Sequence, residues 1–303
     1  MAELDQVVVR QYSDNCYTMA QQKGSRLSNC CTRIKMTGEK TALERVGVTE
    51  AEEATGKYGD SPIIETPFDR RWMHAKPYHW GDMVDWKDKL EVLIDPTSSI
   101  TKAGAYAIGR RIDRVIMEQG IFGAAYGGKD GLTQIEFPDS QKVSITAGAT
   151  GATNASLNIE KLIQARSLIC NADIDVDDPN EKLYFVYTQK QLDELLRSVD
   201  VTNKDYSMIY DLYMGRTNTF MGFEFIRLSK DIVPTVELDG GVARQCFAFA
   251  KSIVQYGEPL PVEGRIAERA DKQFNWYSYM KFKGGAGRMQ DEGVVHIPCF
   301  EAV

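Results

Sequence analysis

The clearest periodicity in the chain runs from Asp95 to Gly120. Ile100, Ala103, Ala107, Ile108, Ile112, Val115 and Ile116 recur at helical spacing and share one stripe. Asp95 suits an N-cap, Pro96 the first helical position and Gly120 the stop. The pattern predicts a rod of ~25 residues, roughly 37 Å long at 1.5 Å per residue. Ala103, Gly104, Ala105, Ala107 and Gly109 keep its first half slim, so neighbouring elements can approach closely. Further along, Asn158 is a predicted N-cap, with Leu157 and Leu162 at the positions of a hydrophobic staple. Leu162, Ile163 and Ile169 give that helix its apolar face. Leu183–Thr188 is a continuous apolar run, as expected of a buried strand. Thr188 and Gln191 then form a capping box opening a helix with Leu192, Leu195 and Leu196 inward.

Ile121–Ala155 reads as loops with strand-like pieces at Thr133–Phe137 and Lys142–Thr146. Thr217–Leu228, Gln245–Ala250, Gly264–Ala270, Phe274–Lys283 and Val294–Cys299 are further strand candidates. Helices and strands do not alternate as a parallel α/β enzyme requires, so the fold class is α+β.

Two segments fit no core pattern. Met1–Lys40 carries six basic and four acidic residues with few apolar ones, and is expected to be an arm ordered by lying on something else. Thr41–Trp86 has a turn-rich centre, Thr55–Pro62, between extended flanks. On a strand, Trp72, His74, Lys76, Tyr78 and Trp80 share one face, and Met73, Ala75, Pro77 and His79 the other. Neither is a clean core face. The segment is expected to be a hairpin-like excursion that buries Trp72, Tyr78 and Trp80 on a neighbour.

Composition narrows the function. With 43% hydrophobic and 26% charged residues, the chain can build a core. A net charge of −7 argues against a protein that grips nucleic acid by neutralising phosphates. None of the six cysteines forms a CxxC pair, and reduced, mostly buried thiols are expected. No apolar run follows Met1, and no stretch reaches the ~18 apolar residues of a membrane span. A soluble product made in a cytoplasm is the expectation.

Candidate chemistry is sparse. His74, His79, Asp82 and Asp85 contain the residue types of a metal site, but on a strand the two histidines face opposite ways. Asp173–Glu181 begins like a calcium loop and then departs from it, with Asp178 at the glycine position and Tyr184 at the bidentate Glu position. The glycine clusters Gly120–Gly128 and Gly284–Gly287 lack the context of phosphate loops and read as turns. No catalytic, cofactor-binding or metal-ligating residue is assigned.

Four stretches, in order, carry a family resemblance. VVVRQYSDNCYTMAQQKGSRL resembles the leading arm of major capsid proteins of tailed bacteriophages, and TGKYGDSPIIETPFDRRWMHAKPYHWGDMVD their extended loop. LIDPTSSITKAGAYAIGRRIDRVI resembles the entry to their long spine helix, and TNTFMGFEFIRLSK a strand of their apical domain. The resemblance implies the Hong Kong-type phage capsid fold. It implies an N-terminal arm over 1–40 and an extended loop over 41–86. It implies a peripheral domain from 87–154 and 251–303, with its spine helix at 95–120, and an axial domain over 155–250. It further implies pentamers and hexamers of the chain itself in an icosahedral shell enclosing double-stranded DNA held non-specifically. A portal protein would stand at one vertex, a separate scaffolding protein would act during assembly, and no membrane would be involved. The subunit would be made in the host cytoplasm and end in the virion. Some relatives cross-link their subunits through lysine, but no such role is assigned to Lys57. The alternatives are an encapsulin-like compartment shell of the same fold, a tail or head-completion protein, and a metal-dependent enzyme using His74, His79, Asp82 and Asp85.

Overall fold

The computed structural model describes residues 21–53, 63–84, 96–149, 153–172, 174–176, 178–198, 204–238 and 240–302. Asp85, Asp95, Lys57, the turn-rich centre Thr55–Pro62 and the first half of the expected leading arm, 1–20, lie outside them. The described elements are mixed helices and strands in three sheets, as the α+β reading requires.

Helix α1 spans Pro96–Val115 and continues as a π-helical turn, Ile116–Ile121. Its stripe is buried where the periodicity places it: Ile108, Ile112, Val115 and Ile116 are nearly inaccessible. The small residues of its first half have specific tasks. A Cβ on Gly104 would meet the Trp80 ring at 2.4 Å, and one on Gly109 the Gly24 backbone at 2.4 Å. The π-turn was not legible from the helical period, because one inserted residue shifts the register without altering composition.

The six-stranded sheet is built around β11 (Gly241–Ala250), which pairs with β7 (Leu183–Tyr187), β10 (Thr235–Leu238) and β14 (Val294–Ala302). β9 (Phe223–Arg227) lies parallel to β7, and β8 (Thr219–Phe220) closes that side. Every residue of β7 is buried, as its unbroken apolar run predicts. Phe185, Phe223, Phe247 and Phe249 are fully enclosed in this core. Helix α2 (Ile159–Cys170) packs on β14 and β11. Its cap is the expected one, with Asn158 Oδ1 accepting from Lys161 N at 2.9 Å. Helix α3 (Gln189–Arg197) opens with the Thr188–Gln191 capping box and packs on α4 (Lys204–Tyr213), a helix the sequence pattern did not reveal.

A second sheet has the order β1 (Thr32–Ile34), β12 (Val254–Arg269), β13 (Asn275–Arg288), β4 (Lys76–Val84), and a third the order β2 (Lys40–Val46), β3 (Phe68–His74), β5 (Ala125–Gly127), β6 (Thr133–Ile135). Four sequence expectations need correction. Thr41–Trp86 is not one excursion, because Lys76–Val84 leaves the hairpin and joins β13. Val294–Ala302, expected with the spine helix, instead joins the sheet of β7 and β11 over nine paired residues. Gly284–Gly287 is strand rather than turn, and Gly285 admits the His74 carbonyl, which a Cβ would meet at 2.4 Å. Lys142–Thr146 forms a single bridge, Lys142 to His296, rather than a strand.

Contacts divide the chain into two compact units. One comprises Met1–Ser25, Pro77–Arg111 and Leu260–Lys283, the other Arg26–Lys76, Ile112–Pro259 and Gly284–Val303. Within the first, Tyr78 stacks on Phe282 at 5.2 Å, and the Arg111 guanidinium lies 4.6 Å from the Tyr78 ring. Within the second, a buried Asp113 carboxylate accepts from Arg26 N and Leu27 N, each at 3.0 Å, and so fixes the incoming chain.

Replacing Ile108 with proline tests the helix. It removes one main-chain hydrogen bond, sets the ring against the Gly104 carbonyl and costs ~3 kcal/mol or more. That is a large part of the ~5–15 kcal/mol stability of a domain. Soluble expression and urea unfolding of Ile108→Pro are expected to show a severe loss; an unaltered midpoint would mean that α1 contributes little to the core.

Candidate assembly surface

A functional surface for this chain has to be sought where apolar side chains are left open. One group of them lies at the open end of the hairpin β2–β3 and in the chain just beyond it. Its strands pair antiparallel from Lys40↔His74 to Val46↔Phe68. β5 joins β3 only at Arg71 and Trp72, so beyond Arg70 the hairpin is a two-stranded ribbon. Gly47 N donates to Pro67 O at 2.8 Å and continues the ribbon past the last strand pair. Val48 is 90% exposed, Ile63 93%, Phe68 75% and Val46 63%. Ile64 is also open. Open apolar residues grouped along one stretch of chain make it a candidate interaction surface.

The other end is tied down. Met73 and Ala75 are buried with Met36, and Ile34 and Leu43 pack against them. Along the ribbon, Arg45 pairs with Asp69 and Arg70 with Glu44, and Arg45 Nη1 donates to Met289 O at 2.6 Å. The hydrogen bond from Arg45 dominates in holding the Asp69 carboxyl below its usual range, so that group is ionised near neutrality. Below them, Asp291 bridges two buried guanidinium groups, Arg71 at 2.9 Å and Arg288 at 2.6 Å. Arg288 Nη1 donates to Ile121 O at 2.9 Å, which links this cluster to the π-turn.

The aromatics singled out in the sequence do not form the open surface. Trp72 is half-buried, donates from Nε1 to Gly128 O at 2.8 Å and packs where a Cβ on Gly131 would stand. Tyr78 and Trp80 are half-buried too, against Phe282 and Gly104 respectively. All three already have partners in their own chain. The open apolar residues are aliphatic, apart from Phe68, and only the exposure of the ribbon identifies them.

The residues weighed for chemistry remain dispersed. His74 tilts against Tyr126 at 4.7 Å, and burial lowers its pKa. His79 is exposed and stacks at 6.2 Å on Tyr279. The Asp82 carboxylate accepts from Met83 N, and Asp85 is outside the described residues. Among the described residues no group of three or more His, Cys, Asp or Glu is arranged to hold a metal ion. In the acidic turn, Asp178 Oδ1 accepts from Asn180 N at 2.9 Å, which stabilises the turn itself.

The chain is thus an α+β subunit with a long helix and a hairpin anchored at its base. It is similar to the capsid of Ralstonia phage GP4 at 12% identity and TM-score 0.70, over 100% of this chain and 98% of that chain. It is similar to a Mycobacterium phage Che8 structure at 15% identity and TM-score 0.63, over 97% of each chain. It is similar to the capsid of a native GTA particle at 11% identity and TM-score 0.67, over 98% of this chain and 97% of that chain. These likenesses establish the Hong Kong-type capsid fold. No curated protein matches the chain in sequence. A family model described as phage capsid protein matches residues 4–301. The chain therefore belongs to the phage capsid protein family, and it is a major capsid protein, a structural shell subunit.

His296, on β14, gives this scaffold a pH-dependent stability. Its ring stacks on Phe137 at 3.7 Å, and Nε2 lies 3.1 Å from Ile121 O. Burial pushes its pKa down from 6.5 to about 4, aided by Arg288 and Lys142 and opposed by the Ile121 hydrogen bond. The folded state thus prefers neutral imidazole, and the unfolded chain takes up the proton first. The stabilisation is complete above the unfolded value and is lost as pH falls from about 6.5 to about 4. The loss amounts to roughly 3 kcal/mol. Urea midpoints measured across this window should fall steeply for the wild type and less steeply for His296→Gln; parallel curves would show that His296 does not control the slope.

Proposed function

We propose that this chain builds the icosahedral head shell of a tailed phage as pentamers and hexamers, with the β2–β3 hairpin lying across a neighbouring subunit. The single observation that carries the reading is the rooted hairpin whose open tip presents Val46, Val48, Ile63, Ile64 and Phe68. A second copy of the same chain is the natural occupant, since closed symmetric assemblies repeat one contact many times. On this reading the peripheral domain comprises 87–154 and 251–293 with α1 as its spine, the axial domain comprises 155–250 together with β14, and the arm 1–40.

The net charge of −7 suits a container that encloses double-stranded DNA without gripping it. A separate scaffolding protein during assembly and a portal protein at one vertex complete the proposed set of partners, with assembly in the host cytoplasm before the subunit enters the virion. Catalysis has no part in it.

The test uses Val48→Asp, Ile63→Asp and Phe68→Asp combined in the full chain, expressed with its scaffolding partner. These side chains are open, so folding stability should stay within ~0.5 kcal/mol of wild type. Thermal melting should confirm this, while electron microscopy and sedimentation should show that closed shells are lost. Shells formed in normal yield by a folded triple variant would refute the hairpin contact.

A further inference from the structure

A cavity of about 270 Å³ lies at the root of the hairpin, bordered by β3, the π-turn, β5 and the end of β13. Arg71, His74, Lys76, Glu118 and Arg288 are among its walls. Arg71 is 5% exposed and Arg288 2%. Asp291 serves both, accepting from Arg71 Nη2 and Arg288 Nε. Arg288 Nη1 donates to the carbonyls of Ile121 and Gly123. Arg71 Nε and Nη1, Arg288 Nη2 and His74 Nε2 are buried with no hydrogen-bond partner among the described residues.

This arrangement is unbalanced in two ways. Two buried guanidinium groups share one carboxylate, and buried charged donors without acceptors are costly. Lys76 adds positive charge at the cavity edge, and Glu118 subtracts from it. A second acceptor with several oxygens would correct both defects. The planar fork of a guanidinium matches phosphate-type oxyanions better than a point cation does. The cavity is several times the ~30 Å³ that one water occupies in the liquid, so a polyatomic anion fits where one water would not fill it.

We propose that this cavity is a binding site for one small tetrahedral oxyanion of the phosphate type, held by Arg71 and Arg288. Arg71 belongs to β3 of the hairpin and Arg288 to the last position of β13. An anion between them ties the hairpin root to β13 through a second bridge beside Asp291. The site concerns the subunit alone and does not require that the hairpin contact a neighbour.

The experiment uses the full-length, unassembled subunit and inorganic phosphate, titrated calorimetrically at constant ionic strength against chloride. Saturable uptake of one phosphate per subunit is expected, with a rise in melting temperature that chloride does not give. Lys76→Met should weaken binding and Glu118→Gln should strengthen it, each by roughly threefold to tenfold, as suits one partly screened charge at the edge of a site. Arg71→Lys should abolish binding; if that variant does not fold, the two edge variants decide. Absence of saturable uptake by the wild type overturns the proposal. Uptake that is the same in wild type, Lys76→Met and Glu118→Gln overturns it equally, because the phosphate would then bind elsewhere.

Discussion

A two-stranded ribbon barely holds itself in water, and the hairpin β2–β3 is one beyond Arg70. Two strands joined only to each other are marginally stable and need a third strand or a packed face. The chain supplies both at one end only. β5 adds the third strand at Arg71 and Trp72, and Met73 and Ala75 reach a small core with Met36. Beyond that point the ribbon keeps its pairing through Arg45–Asp69 and Arg70–Glu44, which are partly or largely exposed. Exposed pairs of this kind contribute about 0–1 kcal/mol each. The hairpin is thus fixed in position at its base and weakly held toward its tip.

The base in turn depends on contacts distant in sequence. Asp291 joins Arg71 to Arg288, so the returning strand of the hairpin is held by residues more than two hundred positions away. The same design recurs in the six-stranded sheet, where Glu301 on β14 accepts from Arg244 at 2.9 Å and from Gln191. Burial alone would raise the Glu301 carboxyl, but those hydrogen bonds outweigh it and hold the group ionised below its usual value. Removing one member of such a buried pair strands a charge and costs ~3–5 kcal/mol, whereas the intact pair adds little net stability. These pairs therefore act chiefly as locators, penalising any alternative register.

Legibility in the sequence follows the range of the interaction. The α1 stripe, the Asn158 cap, the Thr188–Gln191 box and the β7 run are all local, and the structure repeats them closely. What the sequence hid is non-local. Lys76–Val84 reads as a continuation of the hairpin because nothing within it announces β13 as its partner. Gly284–Gly287 reads as a turn because its glycines serve the close approach of the His74 carbonyl, a contact across the fold. The aromatic clustering at Trp72–Trp80 has a local cause as well. Those rings are anchors inside the chain, and the open tip is made of less conspicuous aliphatic residues.

The energetics of the tip set the kind of assembly it can support. Fully burying an apolar side chain of this size gains about 1.5–3 kcal/mol, so the five residues, already covered in part, give a gross gain of at most roughly 7–15 kcal/mol. Association costs an estimated 4–15 kcal/mol in lost rigid-body freedom before any ordering of the ribbon is counted. One hairpin contact taken alone is therefore close to break-even. A close-to-neutral contact suits a shell, since misplaced subunits can leave and correct ones are retained once several neighbours engage them together. Stronger single contacts would trap errors. In a closed symmetric array the rigid-body cost of adding a subunit is met once, while each additional neighbour contributes its gain in full. A hairpin with a rigid base suits that arithmetic, because it delivers the tip to a fixed place without spending the gain on ordering its own root.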